Sequence, residues 1–316
     1  MTGRGKNILS AGGLRERLAS IVFGRVLFDE PMSRHTSIGI GGKADAIIFP
    51  ERKEELAGIV ELLRDARIPF MPIGNGTNLL VRDGGYRGAV ISLQAMSSVS
   101  TAERGAKYVV IHAGAGAPLA EIVKLSTAMS LTGMEFCAGI PGSVGGAVRM
   151  NAGAYGREIK DVAETVALMN ESGEFIEAPK SGLKFTYRNL YIAEGTIIIG
   201  ASFTLTKGIE DEIRARIDDI MDKRKDKHPL EYRNAGSIFK NPNGDGPAGK
   251  IIDELGMKGT RVGNAKISEK HGNFIVNLGN ARASDVIALI EMIKTKVAEE
   301  RGIRLQEEVK IIGEEG

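Results

Sequence analysis

Glycine is concentrated in a few segments of this chain, and this distribution restricts the fold more than any other feature of the sequence. The 316 residues include 41 glycines without a fixed repeat, so they indicate neither collagen nor a low-complexity segment. Clustered glycine serves positive φ angles or the close approach of main chain to another group. Several such loops suggest main chain wrapped around a large cofactor, although tight turns explain any single cluster equally well. The clusters lie between apolar runs, at 39–42, 74–88, 114–116, 139–156 and 236–249.

Length, charge and cysteine content narrow the class of protein. A chain that is 42% hydrophobic and 26% charged predicts a globular protein of two or three domains. The net charge of +2 does not indicate nucleic-acid binding. The single cysteine, Cys137, excludes an intrachain disulfide, and we interpret it as a packing residue rather than a nucleophile.

The sequence has no apolar run of about 18 residues, and residues 1–13 lack the pattern of a signal peptide. We therefore expect a cytoplasmic protein with no membrane partner.

Apolar periodicity divides the chain into three predicted units. Residues 1–92 contain a β-α-β unit, and residues 93–206 and 207–308 are each predicted to mix helices and strands. The sequence leaves open whether a final strand in 309–316 joins the first unit. Helices are predicted at 14–22, 54–66, 118–129, 209–225, 247–255 and 284–301.

The first notable loop follows a predicted strand in PIGNGTNLLV, residues 72–81. Gly74 and Gly76 allow main-chain N–H groups to turn toward one anion, and a diphosphate is the natural ligand for such a nest. Thr77 and Asn78 add side-chain hydrogen-bonding groups. The loop lacks the third glycine of a Rossmann fingerprint and the Gly-Lys-Ser/Thr of a Walker A motif. The sequence therefore predicts a nucleotide-binding fold of another kind.

A second loop, AGIPGSVGGAVRMNAGAYG at 138–156, is richer still in glycine. Its bare amides, with Ser143 and Asn151 among them, would let backbone approach a flavin ring and a diphosphate without obstruction by side chains. Together, the two loops favour a dinucleotide cofactor held largely by main chain.

Six segments, in this order along the chain, carry a family resemblance: IGIGGKAD (38–45), PIGNGTNLLV (72–81), GIPGSVGGAVRMNAGAYG (139–156), TYRNL (186–190), NAGSIFKNP (234–242) and LQEEV (305–309). They resemble the UDP-N-acetylenolpyruvoylglucosamine reductase family, known as MurB. The resemblance implies an α+β protein: an FAD-binding fold of the vanillyl-alcohol-oxidase type, with two α/β subdomains, followed by an α+β substrate-binding domain. No histidine lies in 71–82, so we expect FAD to be bound non-covalently. The chain lacks a long tyrosine-bearing insertion after TYRNL and is similar to the shorter type of the family.

The resemblance also implies a reaction in peptidoglycan precursor synthesis. NADPH would reduce FAD, which would pass a hydride from N5 to C3 of UDP-N-acetyl-3-O-(1-carboxyvinyl)-glucosamine, and protonation at C2 would give UDP-N-acetylmuramate. Hydride addition pushes negative charge onto the substrate carboxylate. The site therefore needs a cation or an acid beside that carboxylate and a proton donor near C2.

Three residues match catalytic positions of the family. Arg188 would stabilise the enolic intermediate, because its planar guanidinium suits a carboxylate. Ser237 would donate the proton, and Glu308 would act beside Arg188. The residues alone would also fit a surface ion pair at Arg188, a turn at Ser237 and a solvated acidic tail at Glu308. The adjacent Glu307 makes the match at Glu308 ambiguous.

The resemblance extends to binding residues. We also expect no metal and a monomer. Tyr155, Lys227 and Asn241 match substrate-binding positions, with Lys227 in a basic run at 222–228. Residues predicted to contact FAD are Gly74, Asn75, Gly76, Thr77, Asn78, Gly139, Ile140, Pro141, Gly142, Ser143, Gly145, Gly146, Asn151 and Gly153.

Two other functions compete with this interpretation. An FAD-dependent oxidase or dehydrogenase with the same fold could act on another small substrate, but Arg188, Ser237 and Glu308 would then share no task. A non-enzymatic nucleotide-sugar or nucleic-acid binder could use the run 222–228, although that run carries no interleaved aromatic residues. Binding of FAD separates the second alternative from the enzyme.

Overall fold

The computed structural model describes residues 13–316. Most of the N-terminal stretch in which we predicted no signal peptide, residues 1–12, lies outside the described part. Among residues 13–316, no helix combines the length and the apolar character needed to cross a bilayer.

The first sheet has one antiparallel pair at its edge, and its other pairings are parallel. Its strands lie in the order Arg25–Pro31, Lys43–Phe49, Tyr86–Ser92 and Phe70–Ile73.

The β-α-β unit predicted in the first region is present. Helix Lys53–Asp65 connects strands Lys43–Phe49 and Phe70–Ile73 and buries Leu56, Ile59 and other residues of one face. Helix Leu14–Ile21 packs against it in the same core. Strand Lys43–Phe49 is buried at every position after the first, as expected for a central strand that is covered on both faces.

The second sheet is antiparallel and lies in the middle region of the chain. Helices Leu119–Ala128, Val144–Arg149 and Glu210–Lys227 pack on its core. The last of these begins after residue 206, where we placed a boundary, yet its Ile220 lies in the core of the second unit. The division at 206/207 stays a proposal. The strands run in the order Phe175–Pro179, Ala163–Met169, Ile197–Lys207, Tyr108–Gly114 and Val99–Arg104, and Leu131–Thr132 pairs with Ile197–Lys207.

The third sheet and its helices share a core with the first region. Helices Ala248–Glu254 and Ala283–Arg301 pack with the sheet, and Ile38 and Leu80 of the first region enter the same cluster. The chain then returns, because strand Lys310–Ile312 pairs in parallel with Leu79–Val81. Residues just before Lys310 are thereby brought beside the first glycine loop. The strands of the third sheet lie in the order Arg233–Ser237, Phe274–Asn277, Ala265–Ile267 and Arg261–Val262.

Two short hairpins complete the fold. Gly153–Ala154 pairs with Arg157–Glu158. Lys184–Thr186 pairs with Asn189–Tyr191, and we refer to residues 184–191 as the Arg188 hairpin, because Arg188 lies in its two-residue turn.

Candidate active site

The first glycine loop, 74–78, follows strand Phe70–Ile73 and is packed too closely for side chains at its glycines. Gly76 has φ +62°, and a Cβ there would lie 2.1 Å from the carbonyl oxygen of His35. A Cβ on Gly74 would lie 2.2 Å from the hydroxyl of Ser143. Thr77 Oγ1 donates to the carbonyl of Pro141 at 3.3 Å. The first loop therefore lies directly against the second glycine segment, as a shared binding site requires.

The contact between these loops includes a buried hydroxyl group that forms no hydrogen bond with residues 13–316. This hydroxyl belongs to Ser143, which is 1% exposed. A buried hydroxyl without a partner is uncommon, and a bound polar group would supply one. A cleft of about 380 Å³ begins beside the first loop, lined by Asn75, Gln94, Ser97, Gly116, Pro118 and Glu121. Bare main chain, a free hydroxyl and an adjoining cleft fit part of a dinucleotide such as FAD.

Two of the asparagines predicted to contact FAD have protein partners. Asn78 Nδ2 donates to the carbonyl of Glu308 at 3.0 Å. Asn151 is fully buried; its Nδ2 contacts Glu158 and the carbonyl of Thr186, both at 2.9 Å, and its Oδ1 accepts from the N–H of Lys160 at 3.0 Å. The side chain of Asn151 therefore connects the second glycine segment to the Arg188 hairpin. Contact of either residue with FAD stays a prediction.

The structure brings Arg188 and Glu308 together. Arg188 Nε lies 3.0 Å from Glu308 Oε1, with the two side chains 20% and 15% exposed. Arg188 has φ +56°, in the left-handed region that favours glycine. An arginine there costs about 1–3 kcal/mol, and such strain concentrates at functional sites. The hairpin turn thus carries a side chain where backbone energetics alone would select glycine.

The electrostatics of Glu308 differ from those of its neighbour. Burial raises the pKa of Glu308, and the charges of Arg188 and Lys240 only partly oppose this. Glu307 points elsewhere and forms an ion pair with Lys294 at 2.8 Å. Burial also acts to raise the pKa of Glu307, but the hydrogen bond and charge of Lys294, together with a backbone hydrogen bond, outweigh it, so the pKa of Glu307 is lowered. Of the two adjacent acids, Glu308 is the one that faces Arg188.

Ser237 ends strand Arg233–Ser237, and the residues that follow pair with the segment containing Glu308. The N–H of Glu308 donates to the carbonyl of Ile238 at 2.8 Å, and the N–H of Lys240 donates to that of Gln306 at 2.8 Å. Ser237 directly precedes Ile238, whose carbonyl accepts the hydrogen bond from Glu308. All three predicted catalytic residues therefore belong to segments that are in direct contact.

Two of the predicted substrate-binding residues lie on or against one helix, and the third follows Ser237 in the chain. Tyr155 is half-exposed with φ +52°, and its hydroxyl lies 3.5 Å from the carbonyl of Ile220. Lys227 is the last residue of the same helix, Glu210–Lys227. Asn241 Oδ1 accepts from the N–H of Ala248 at 3.0 Å, on the other side of Ser237 along the chain. Their roles remain predictions.

Arg224 is a candidate site residue that the sequence analysis did not single out. It is 9% exposed, its Nε has no hydrogen-bond partner in the described part of the chain, and burial lowers its pKa. It lies against Gly139, where a Cβ would approach Arg224 Cδ to 2.7 Å. The signal was its spacing: Arg224 follows Ile213, Ile217 and Ile220 on the apolar face of the helix, although it belongs to the charged run 222–228.

Three residues with reactive side chains are either buried or paired with a neighbouring side chain. Cys137 is buried, and burial raises the pKa of its thiol, which fits the packing interpretation. His35 Nε2 lies 3.0 Å from Glu30, and His112 Nδ1 lies 2.8 Å from the hydroxyl of Ser202. Among residues 13–316 there is no group of three or more side chains arranged to hold a metal ion.

Family models match most of this architecture. The model described as "FAD binding domain" matches residues 44–179. The model described as "UDP-N-acetylenolpyruvoylglucosamine reductase, C-terminal domain" matches residues 228–312. The first match covers both glycine loops, and the second covers Ser237 and Glu308.

Curated relatives and a solved structure extend the likeness over nearly the full chain. A UDP-N-acetylenolpyruvoylglucosamine reductase of Syntrophus aciditrophicus is 54% identical, over 96% of this chain and 97% of that protein. One of Caldanaerobacter subterraneus subsp. tengcongensis is 44% identical, over 92% and 95%. The crystal structure of UDP-N-acetylenolpyruvylglucosamine reductase from Thermus caldophilus has a TM-score of 0.77 at 34% identity, covering 92% of this chain and 98% of that one.

Proposed function

This chain belongs to the UDP-N-acetylenolpyruvoylglucosamine reductase family of FAD-dependent oxidoreductases, and we propose that it reduces UDP-N-acetyl-3-O-(1-carboxyvinyl)-glucosamine to UDP-N-acetylmuramate with NADPH. The observation that carries the proposal is the Arg188–Glu308 ion pair at 3.0 Å. It joins the second region of the chain to its C-terminal segment, immediately beside the segment of Ser237. An oxidase acting on an unrelated substrate would have no use for this combination.

Arg188 and Glu308 act on the substrate carboxylate in the proposed reaction. When bound, FAD supplies the hydride, taken from NADPH and delivered to C3 of the enolpyruvyl group. Negative charge then develops on the carboxylate, and the fork of Arg188 donates hydrogen bonds to it. Burial raises the pKa of Glu308, so its carboxyl group takes up a proton more readily than a solvated glutamate does and can share in holding the enolic oxygen.

Ser237 donates the proton to C2 in the proposed reaction. Its position at the end of a strand, followed at once by hydrogen bonds to the Glu308 segment, gives the hydroxyl a fixed backbone. A positioned proton donor contributes about 10²–10⁴-fold to rate. Tyr155, Lys227 and Asn241 are proposed to hold the sugar nucleotide. Lys227 and the other basic residues of 222–228 supply positive charge for its diphosphate.

The test uses the two half-reactions separately. The purified protein should be yellow, release unmodified FAD on acid precipitation, and be bleached by NADPH under anaerobic conditions. Addition of the enolpyruvyl sugar nucleotide should restore the oxidised spectrum and yield UDP-N-acetylmuramate. A bleached protein that only oxygen re-oxidises, together with oxidation of an alcohol or lactone, would favour the oxidase or dehydrogenase alternative.

A further inference from the structure

Tyr187 precedes Arg188 in the turn of the Arg188 hairpin and contacts both sides of the candidate site. Its ring lies against the Arg188 guanidinium, with Cζ 5.0 Å from the ring centroid. Its hydroxyl oxygen accepts a hydrogen bond from the backbone N–H of Asn241 at 3.4 Å. The residue is 43% exposed, so it does not fill a core. Its two contacts are therefore not part of a hydrophobic core.

The strands of the Arg188 hairpin are held by the second glycine segment. Asn151 Nδ2 donates to the carbonyl of Thr186 at 2.9 Å, and Arg149 Nη1 donates to that of Leu190 at 2.9 Å. These bonds hold the strands rather than the turn. The turn itself extends to the segment that follows Ser237, and it meets that segment through Tyr187.

An arginine that must meet a carboxylate in one orientation needs a surface that limits its rotamers, because its free side chain has many. An aromatic face provides such a surface and attracts the cation. We propose that Tyr187 is a positioning residue for the reaction. Its ring holds the Arg188 guanidinium toward Glu308, and its hydroxyl fixes the turn against the segment of Ser237. This inference rests on the proposed function, in which Arg188 binds the substrate carboxylate.

The titration of Glu308 reports on the position of Arg188. Burial raises the pKa of Glu308, while Arg188 on the hairpin and Lys240 on the neighbouring loop oppose the rise. The adjacent Glu307 is paired with Lys294. A guanidinium that has lost its aromatic support opposes the rise less. The limb of the pH–rate profile that belongs to Glu308 therefore moves to higher pH, which a purely structural defect would not cause.

The experiment compares Tyr187→Leu and Tyr187→Phe with a matched control, Tyr191→Leu. Tyr191 ends the same hairpin, is 57% exposed, and has Lys184 Nζ 4.9 Å from its ring centroid, away from Arg188. Loss of the aromatic face in Tyr187→Leu should slow re-oxidation of the reduced flavoprotein by the sugar nucleotide about 10- to 30-fold. Tyr187→Phe, which loses only a long hydrogen bond, should slow it about threefold.

The remaining readouts separate the outcomes. Bleaching by NADPH should proceed at the wild-type rate in all three variants, and only Tyr187→Leu should move the Glu308 limb upward. Equal behaviour of Tyr187→Leu and Tyr191→Leu, or an equal slowing of both half-reactions, would overturn the positioning role while leaving the proposed function intact. A wild-type protein that the sugar nucleotide cannot re-oxidise would remove the proposed function, and this inference with it.

Discussion

Arg188 Nε and Glu308 Oε1 lie 3.0 Å apart although the two residues come from different regions of the fold. Two features of the backbone bring these side chains into contact. The left-handed conformation of Arg188 directs the hairpin turn, and the parallel pairing of Lys310–Ile312 with Leu79–Val81 fixes the segment just after Glu308. The ion pair is therefore a product of tertiary structure, and changes at either residue should affect one half-reaction selectively.

Arg188→Lys should keep the charge but lose the two-pronged geometry that suits a carboxylate. We expect re-oxidation by the sugar nucleotide to slow about 10²-fold, as on loss of a donor to a developing negative charge. Reduction by NADPH should be unchanged. Stopped-flow absorbance of the flavin follows both steps. A lysine variant with wild-type re-oxidation would show that Arg188 does not bind the substrate carboxylate.

Glu308→Gln and Glu307→Gln form a matched pair of neighbouring substitutions. Glu308→Gln should slow substrate-dependent re-oxidation at least about tenfold and abolish the limb of the pH–rate profile that lies above the ordinary glutamate range, because burial raises the pKa of Glu308. Glu307→Gln loses only its ion pair with Lys294, which is worth about 0–1 kcal/mol of stability. The reverse pattern of rates would assign the catalytic role to Glu307.

Ser237→Ala should leave bleaching by NADPH intact and slow re-oxidation by the sugar nucleotide about 10²–10⁴-fold. The backbone bonds that follow Ser237 do not involve its hydroxyl, so the fold should be retained. Rapid-mixing absorbance measures both rates on one preparation. Similar losses in the two half-reactions would contradict a proton-donor role.

Local patterns predicted the helices well. Helix Lys53–Asp65 was expected at 54–66 and helix Ala283–Arg301 at 284–301, because the spacing of apolar residues and the breaking residues are local signals. Helix Val144–Arg149 was not predicted. Its sequence, VGGAVR, contains two glycines of low helix propensity, and the helix forms in a buried setting that no local pattern records.

Contacts between residues far apart in the sequence were harder to predict than the helices. The parallel pairing of Lys310–Ile312 with Leu79–Val81 joins segments too distant for periodicity to relate. Asn151 illustrates the same limit at the site: its amide is used by Glu158, Lys160 and Thr186, and a glycine-rich setting alone does not reveal those partners. Motif resemblance nevertheless brought together Arg188, Ser237 and Glu308, because it carries tertiary information that residue patterns lack.

His228 should make the stability of the protein depend on pH. Its ring packs on Phe274 and His271, and burial, followed by the charge of Arg224, lowers its pKa from 6.5 to about 4. The unfolded chain therefore binds a proton in this window while the folded chain does not. The free energy of unfolding should fall as pH decreases from about 6.5 to about 4. In urea unfolding across this range, His228→Phe should lose part of that fall; an unchanged pH dependence would contradict the assignment.

Gly76→Ala tests the packing of the first glycine loop against a helical control, Gly58→Ala. A Cβ at position 76 would lie 2.1 Å from the carbonyl of His35, in a backbone with φ +62°. The loop must shift, so we expect lower thermal stability and at least about tenfold weaker binding of FAD, because a misplaced loop loses its fit to the cofactor. Gly58 lies within helix Lys53–Asp65, and apart from its chain neighbours and the nearby backbone of that helix, no atom of residues 13–316 lies within 4 Å of an added Cβ. Gly58→Ala should therefore raise the free energy of unfolding by about 0.5–1 kcal/mol and leave FAD binding unchanged. Thermal unfolding and fluorescence titration of the apoprotein with FAD measure both quantities. Full FAD affinity in Gly76→Ala would mean that the cofactor does not depend on the shape of this loop.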